Sequence, residues 1–509
     1  MKGKWLRAIR IAVSVVEFSL ITGLFVSFGM TIPGVAAWLA RIQLLPAAMA
    51  FGMTVFVGWL IVTMIFGRVY CSSVCPMGFY QDICARGARL TRRRRRRRAY
   101  HFTRPSNVLR YSLLALTAGA LITGIGIVPV LLDPYSAYGR MALCLFKPVW
   151  GAVAGLFSAE PLAAAGGSAL GMTVAVLTAI AVGWAAARNG RTVCNTICPV
   201  GTTLGLVSRY SVFHIDINPD KCVMCHRCEH ACKARCIDLP AHTVDTSRCV
   251  VCFDCLPVCP NDAISYTPSS HRLQLPMLQR INERRDAPEV TAASPGVNTP
   301  DAASCSRSRL IDRRKFLATG AIVAAAPLIT RADRAARAVA AAAGGVKPSP
   351  TAAVYPPGAA DRTYFIERCT GCGLCVSHCP TGVIRPATLQ YGTVKGILHP
   401  VMDYDAARCA FDCTRCNNLC PTGALLPLTL REKQSTVIGR AHPLHANCTH
   451  CGHCAKACPR GAIEMTGFSG SKPVPIVNHA LCIGCGACQS VCPSYPYKAI
   501  YVDGLTDQK

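Results

Sequence analysis

The sequence predicts a multidomain protein in which an α-helical membrane bundle of four spans is joined to several small α+β modules organised by cysteine. Three observations support this fold class. The N-terminal region contains four long apolar runs, 32 of the 509 residues are cysteine, and most of these cysteines fall into six regularly spaced quartets. Hydrophobic residues make up 51% of the chain and charged residues only 16%, a balance that suits a protein lying partly in lipid.

Each apolar run is close to the ~20 residues that an α-helix needs to cross a bilayer. The runs cover residues 9–30, 45–66, 108–132 and 169–187. A buried helix of a soluble domain is the alternative for any one of them, but four runs in so short a stretch favour membrane spans. We therefore expect residues 1–210 to form a four-span membrane domain.

The formal net charge of +28 is concentrated beside these runs. Lys4 and Arg7 precede the first run and Arg10 lies at its start. Arg68 and seven consecutive arginines at 92–98 lie between the second and third runs, and Arg188 and Arg191 follow the fourth. The positive-inside rule then places these segments in the cytoplasm, at a bacterial inner membrane. Because no aromatic platform or recognition helix accompanies the arginines, we expect lipid and not nucleic acid as their partner.

Six cysteine quartets follow the apolar region. Five have the spacing C-x-x-C-x-x-C-x-x-x-C, and one has an extra residue in its first gap. Five are followed by proline, whereas the first is followed by Lys233. In chain order the quartets are Cys222, Cys225, Cys228 and Cys232; Cys249, Cys252, Cys255 and Cys259; Cys369, Cys372, Cys375 and Cys379; Cys409, Cys413, Cys416 and Cys420; Cys448, Cys451, Cys454 and Cys458; and Cys482, Cys485, Cys488 and Cys492.

This spacing is that of the bacterial ferredoxin [4Fe–4S] motif. Three thiolates in one tight loop reach three irons of one cubane, and the fourth, turned away by proline, reaches the neighbouring cubane. Zinc ribbons instead use two C-x-x-C knuckles set well apart. The quartets therefore predict six [4Fe–4S] clusters in α+β modules of bacterial ferredoxin type. Segments this small bury too little apolar surface to fold alone, so we expect the clusters to stabilise them.

The exchange of the fourth cysteine predicts how the first two quartets combine. In a two-cluster module at residues 211–266, Cys259 would complete the first set of three cysteines and Cys232 the second. The last four quartets belong to a four-cluster domain at 346–509. For these quartets the sequence leaves two pairings open, because first-with-fourth nesting is as compatible with the spacing as sequential pairing.

Two segments separate the cluster domains. Residues 267–311 are polar and rich in Pro, Ala and Ser, which predicts a linker. Residues 312–345 contain Arg313 and Arg314, a short apolar core and the small-residue sequence at 338–340, the pattern of a twin-arginine export signal. Whether this segment is cleaved or kept as an anchor stays open. The four-cluster domain is accordingly predicted to be periplasmic and the two-cluster module cytoplasmic.

Two further cysteine pairs repeat the motif C-x-x-x-C-P-x-G. Cys71 and Cys75 follow the second apolar run, and Cys194 and Cys198 follow the fourth. The predicted topology brings both pairs to the cytoplasmic ends of their helices, where they can face one another. Four thiolates there would bind a metal or cluster or act as a redox dithiol, with helix-end packing as the alternative. Cys84, Cys144, Cys236 and Cys305 belong to no group and are interpreted as ordinary thiols.

The four spans, the paired motifs at Cys71 and Cys194 and the first two quartets resemble NapH, a family of membrane quinol dehydrogenase ferredoxin subunits. The segment after Asp312, with its four quartets, resembles the exported polyferredoxins NapG and MauM. Lys233 in place of proline, Asp312 in place of Ser or Thr, and the fusion itself depart from the family patterns. The resemblance extends over almost the whole chain.

The resemblance implies an oxidoreductase component that oxidises quinol from the quinone pool. Electrons would pass through the [4Fe–4S] clusters to a periplasmic reductase or cytochrome acceptor. Glu17, the clear carboxylate within an apolar run, is the candidate quinol-site residue, with Asp133, Tyr135 and Tyr138 as weaker candidates. The alternative function is an electron-donating assembly or maturation factor for a periplasmic metalloenzyme.

Overall fold

The structure is a computed structural model that describes residues 2–27, 34–50, 52–91, 100–155, 168–268, 346–392, 394–469 and 472–508. Three predicted features lie outside the described residues: the arginine block at 92–98, all but the first two residues of the linker, and the twin-arginine segment at 312–345.

The described part of the chain before residue 210 is helical. A π-helix at Ala142–Phe146 joins two of the helices. The helices are α1 (Lys2–Val26), α2 (Gly34–Arg41), α3 (Leu44–Met49), α4 (Met53–Phe66), α5 (Val69–Ser73), α6 (Pro76–Thr91), α7 (Asn107–Ile122), α8 (Ile127–Leu132), α9 (Pro134–Met141), α10 (Lys147–Gly155), α11 (Ala169–Asn189), α12 (Thr192–Thr196) and α13 (Pro199–Ser208).

Two of the four predicted spans are single helices of bilayer length. Among the described residues, Gly3–Val26 and Ala169–Asn189 are long and apolar enough to cross a membrane. The segments Met53–Phe66 and Asn107–Ile122 are apolar but have only 14 and 16 residues, fewer than the ~20 that a straight span needs. The four-span bundle is therefore not confirmed.

Glycines explain why the second and third apolar runs do not form single long helices. In the second run, the amide of Gly52 closes the end of α3 on Ala47 O, and α4 begins at the next residue. In the third run, α7 ends before Gly124, whose φ of +68° belongs to the left-handed region that glycine adopts without strain. Apolar composition located these segments as apolar helices, but it could not show where the helices are interrupted.

The two-cluster module begins directly after α13. Strand β1 (Phe213–Ile217) pairs antiparallel with β4 (Ile264–Pro268), so the ends of the module meet in one ribbon. The part between them holds α14 (Arg227–Ala231) and the short hairpin of β2 (Ile237–Asp238) and β3 (Thr243–Val244). The two paired strands therefore enclose both quartets between them along the chain.

The C-terminal domain repeats this design with short helices and two-stranded antiparallel sheets, which pair β5 with β6, β7 with β10 and β8 with β9. Two-stranded sheets are marginal in water without further support. The helices are α15 (Arg362–Arg368), α16 (Leu374–His378), α17 (Arg415–Leu419), α18 (Leu430–Ser435), α19 (His453–Lys456) and α20 (Ala487–Ser490). The strands are β5 (Ile384–Pro386), β6 (Pro400–Met402), β7 (Gly439–Pro443), β8 (Ile463–Ser469), β9 (Lys472–Val477) and β10 (Ile500–Gly504).

Helix α1 contacts both cluster domains, one at each end. Near its N-terminus, Arg7 Nε lies 2.8 Å from Asp254 Oδ1 of the two-cluster module. At its C-terminus, the carbonyl of Phe25 accepts a hydrogen bond from Ser377 Oγ of the C-terminal domain. At 1.5 Å per residue, the α-carbons of Arg7 and Phe25 are roughly 27 Å apart. The two cluster domains therefore lie at opposite ends of the same helix.

Candidate metal centres

The first cavity of the two-cluster module is lined by cysteines of two quartets. Cys222, Cys225 and Cys228 face Cys259 across about 340 Å³ of empty space. Cys259 can reach the first three cysteines because β1 and β4 pair and bring the two ends of the module together. The fourth cysteine of the second quartet therefore completes the first set, which is the arrangement expected from the exchange.

The second set of cysteines in this module contains Cys232. Burial raises the pKa of Cys252 and Cys255, and the charge of the nearby Cys232 contributes to the rise in both. Cys236, which belongs to no quartet, is buried with its Sγ 3.5 Å from that of Cys232. The sequence gives no sign of this proximity, because Cys236 lies outside the motif spacing.

In the C-terminal domain the third and fourth quartets exchange their fourth cysteines. Cys379 lines a cavity of about 320 Å³ with Cys409, Cys413 and Cys416. The fourth quartet contributes its last cysteine, Cys420, to the third in return. Burial raises the pKa of Cys369, Cys372 and Cys375, and the charge of the nearby Cys420 adds to the rise. The third and fourth quartets are thus a pair.

The fifth and sixth quartets form the other pair. Cys458 lines a cavity of about 340 Å³ with Cys482, Cys485 and Cys488. Of the two pairings that the sequence leaves open, the structure has the sequential one. Its physical basis is that each pair is closed locally, by short connections and by ribbons such as that of β7 with β10.

These cavities fit a four-iron cluster. Each combines three thiols from one loop with a fourth from another loop, and backbone amides point at the sulfurs: Ala263 N is 3.3 Å from Cys259 Sγ, and Ala462 N is 3.3 Å from Cys458 Sγ. Within the described residues, no three or more His, Cys, Asp or Glu side chains are arranged to hold a single metal ion. The spacing suits a larger inorganic group better than Zn²⁺.

The structure also brings the two C-x-x-x-C-P pairs together. Cys71, Cys75, Cys194 and Cys198 line one cavity of about 620 Å³ between α5, α12 and the neighbouring helices. All four are free and buried. Gln81 Nε2 lies 3.2 Å from Cys194 Sγ. Burial raises the pKa of Cys75, Cys194 and Cys198, and their thiol neighbours contribute, so a metal would have to displace thiol protons on binding.

Each motif has an arginine that donates a hydrogen bond to the backbone of the other motif. Arg68 precedes Cys71 by three residues, and its Nη2 donates a hydrogen bond of 3.3 Å to Cys194 O. Arg191 precedes Cys194 by three residues, and its Nη1 donates to Cys71 O. The arginine of each motif thus holds the backbone of the other motif. The two halves of the site are related as a structural repeat.

The sequence did not predict the burial of these arginines. Arg68, Arg191 and Arg10 were counted as charges beside the apolar runs, and their exposures are only 0%, 1% and 5%. They are interior groups with specific hydrogen-bond partners. The signal that could have revealed this is the full repeat R-x-x-C-x-x-x-C-P-x-G, which occurs at both motifs.

The glycine of each motif leaves space for the crossing arginine. A Cβ on Gly78 would lie 2.4 Å from Cys71 O and 2.8 Å from Arg191 Nη1. A Cβ on Gly201 would lie 2.1 Å from Cys194 O and 2.8 Å from the corresponding nitrogen of Arg68. The glycines therefore permit close approach of the guanidinium and the backbone.

Lys233, the departure from proline, belongs to a buried ionic network. Its Nζ lies 2.8 Å from Asp254 Oδ2 and 3.4 Å from Asp82 Oδ2. Asp82 also pairs with Arg191 at 2.9 Å and Arg10 at 3.0 Å. Burial alone would raise the pKa of Asp82, but Arg191, Lys233 and Arg10 together hold it below its usual value. This network joins the two-cluster module to the helices.

The candidate carboxylate Glu17 is buried and connected to the cysteine cavity. Gln43 Nε2 donates to Glu17 Oε1 at 3.2 Å, and Tyr70 OH donates to Gln43 Oε1 at 2.8 Å. Tyr70 lines the cavity. Of the weaker candidates, Asp133 caps α9 by accepting hydrogen bonds from Ser136, and this contact accounts for its position structurally.

The other two weaker candidates lie in α9. Tyr138 OH is 2.5 Å from Thr22 Oγ1 of α1, so it joins two helices. Tyr135 is fully buried, and its hydroxyl has no hydrogen-bond partner within the described chain. The structure does not bring either hydroxyl together with Glu17 through a hydrogen bond.

Comparison with protein-family models assigns the cluster regions to known domain types. Residues 368–424 and 447–495 match a 4Fe-4S dicluster domain, and each range contains one of the sequential quartet pairs. Residues 48–98 and 170–218 match a 4Fe-4S binding domain, and each range contains one C-x-x-x-C-P pair. The chain is therefore a protein with 4Fe–4S domains of ferredoxin type.

Among curated proteins, the chain is 22% identical over 220 residues to the putative electron transport protein YccM of Escherichia coli, covering 42% of this chain and 55% of YccM. It is 35% identical over 74 residues to the uncharacterized protein MJ0749 of Methanocaldococcus jannaschii, covering 14% and 29% of the two chains. The chain thus spans about half or less of these relatives' lengths. No solved structure matches the chain.

Proposed function

We propose that this protein is a membrane-bound iron–sulfur electron-transfer protein that oxidises quinol and delivers the electrons to an extracytoplasmic acceptor. The finer parts of this proposal are the NapH-like and NapG/MauM-like roles of the two halves, a location in the bacterial inner membrane, and a periplasmic reductase or cytochrome as partner. The similarity to a putative electron transport protein supports the general class.

The observation that carries the proposal is the position of the cluster domains at opposite ends of α1. This helix has 25 residues, which corresponds to roughly 37 Å and exceeds the ~30 Å of a bilayer core. Large apolar side chains are exposed on the long helices and on the shorter ones beside them. They include Ile9, Val16, Ile61, Leu116, Ile180 and Trp184. Such an exposed apolar surface favours contact with lipid.

The proposed reaction is the oxidation of a quinol to a quinone, which releases two electrons and two protons. [4Fe–4S] clusters, when bound to the quartets, take up and release single electrons. The chain's own contribution is to orient the quinol and to accept a proton. Glu17 is the candidate acceptor at its carboxylate, and Gln43 and Tyr70 hold that carboxylate in place through the hydrogen bonds described above.

The test is anaerobic addition of a quinol analogue to membranes that contain the full chain, with cluster reduction followed by the loss of visible absorbance. We expect reduction in the native protein and a rate about 100-fold lower in Glu17→Gln, because a general base is removed. Glu464→Gln, an exposed carboxylate of the C-terminal domain, is the matched control. Absence of reduction in native membranes would contradict quinol oxidation.

A deletion strain distinguishes the alternative, a maturation factor. In such a strain, the loss of an electron donor leaves its partner enzyme loaded with metal but idle. A maturation factor leaves the partner present but incompletely loaded.

A further inference from the structure

The six quartets do not account for the most enclosed group of cysteines in the helical part of the chain. We propose that Cys71, Cys75, Cys194 and Cys198 together bind one [4Fe–4S] cluster, in addition to the six expected at the quartets. This site is built jointly by the two C-x-x-x-C-P motifs.

The two C-x-x-x-C-P motifs supply four thiols only when they are combined. The range 48–98 contains Cys71, Cys75 and Cys84, and the range 170–218 contains only Cys194 and Cys198. Neither range alone supplies four cysteines, although both match a 4Fe-4S binding domain. The cavity joins two thiols from each motif, and a set of four thiols is the usual protein ligand set for a [4Fe–4S] cluster.

The positive charge of Arg68 is buried beside the four thiols. The partners of Arg68 in the described structure are uncharged: Asn195 Oδ1 at 2.8 Å, Ser247 O at 3.0 Å, and the carbonyl of Cys194. Its side chain is fully buried and its Nε has no partner there. A buried charge requires compensation. A cluster held by four thiolates is net negative and would supply it, whereas four neutral thiols would not.

Hydrogen-bond donors point at the sulfur atoms of the site. The amide of Gly201 lies 3.3 Å from Cys198 Sγ, and Arg68 Nη2 lies 3.7 Å from Cys71 Sγ. Gln81 Nε2 also lies within hydrogen-bonding distance of a thiol sulfur. The same amide-to-sulfur contacts occur at the quartets, for example from Ala462 to Cys458. Donors that point at sulfur stabilise thiolates and tune cluster potentials.

The site lies between the two cluster domains. On one side, Ser72 Oγ lies 3.4 Å from Val251 O in the two-cluster module. On the other side, the cavity is lined by Pro134 and Ala137 of α9, and Arg140 of the same helix donates to Gly371 O beside the third quartet. A cluster bound here would occupy the interior of the helical part, within the packed core that links the two domains.

The test is iron counting with EPR on the full chain, purified anaerobically in detergent. We expect about 28 iron atoms per chain in the native protein and about 24 in the double variant Cys71→Ala/Cys194→Ala, with one EPR signal lost after reduction by dithionite. The matched control is Cys84→Ala/Cys144→Ala, which removes two cysteines outside the site and should leave the count unchanged. Retention of the other signals would show that the double variant is folded.

Arg68→Gln provides a second readout. It keeps all four cysteines, so iron content should stay near the native value, while the potential of the signal assigned to this site becomes more negative because a buried positive charge is lost. If the double variant fails to accumulate, the number of iron atoms in the native protein tests the proposal by itself. A count of about 24 iron atoms in the native protein would overturn the proposal. So would a zinc ion that is present in the native protein and lost in the double variant, or a disulfide between the two motifs. None of these outcomes depends on quinol, so the proposed function is tested separately.

Discussion

Lys233 Nζ lies 3.4 Å from Oδ2 of Asp82, an ion pair between a residue of the first quartet loop and a residue of α6. The other five quartets have proline at the position of Lys233. The substitution therefore has a structural explanation, because lysine here docks the two-cluster module against the helices. The carbonyl of Lys233 adds to the docking by accepting a hydrogen bond from Arg191 N at 2.9 Å.

Replacing this lysine with the usual proline should weaken the docking without disturbing the cysteines. Cys232 is extended, with φ −76° and ψ 97°, so a proline can follow it. We expect Lys233→Pro to keep its iron but to lose about 3–5 kcal/mol of stability, since Asp82 and Asp254 lose a buried partner. Thermal unfolding in detergent, with iron counting, measures both. Lys472→Met, at an exposed lysine, is the control. Loss of iron in the Lys233 variant would contradict the docking role.

Asp82 is the carboxylate on which three cations of the network converge. Asp82→Asn should destabilise the protein by about 3–5 kcal/mol, because Arg10, Arg191 and Lys233 are left with less negative charge around them. The pKa of Asp82 is lowered in the folded state, so its contribution is fully present above the ordinary value and is lost only as the pH falls below it. The stabilisation by Asp82 should therefore be constant between pH 8 and pH 5, and this group should cause no change of the unfolding temperature in that window. A decline in that window that disappears in Asp82→Asn would contradict this assignment.

Gly78→Ala and Gly201→Ala test the crossing of the arginines. Each added Cβ would approach a backbone carbonyl of its own motif and a guanidinium nitrogen of the other motif more closely than real contacts allow. We expect both variants to lose stability by about 1–3 kcal/mol, measured by thermal unfolding in detergent. Gly58→Ala in α4, where nothing lies within 4 Å of the added carbon, is the control and should be neutral or slightly stabilising. Equal unfolding temperatures for all three would rule out the close approach.

Cysteine spacing predicted the 4Fe-4S domains that match at residues 368–424 and 447–495, because the ligands lie in short loops and the spacing itself encodes the geometry. The spacing did not determine whether Cys379 joins the fourth quartet or a more distant one, since that depends on how strands such as β7 and β10 close each unit. The burial of Arg68 and Arg191 was not predicted, because charge beside an apolar run usually faces water or lipid headgroups. Their burial depends on tertiary contacts between two segments more than 100 residues apart, which no local pattern contains.

Removal of iron should unfold the C-terminal domain but not the long helices. The longest described helix of this domain, α15, has seven residues, and its sheets have two strands each. Elements this short are marginal without a cross-link. Helices α1 and α11 have 25 and 21 residues and do not depend on iron for their backbone hydrogen bonds.

After oxidative chelation of the full chain, we expect protease to cleave within residues 346–508 while the segments of α1 and α11 stay protected in the membrane fraction. Mass spectrometry of the fragments measures this, and the iron-loaded protein is the control. Continued protection of the C-terminal domain in the iron-free protein would show that apolar packing alone, such as the core around Phe365 and Tyr391, holds it together.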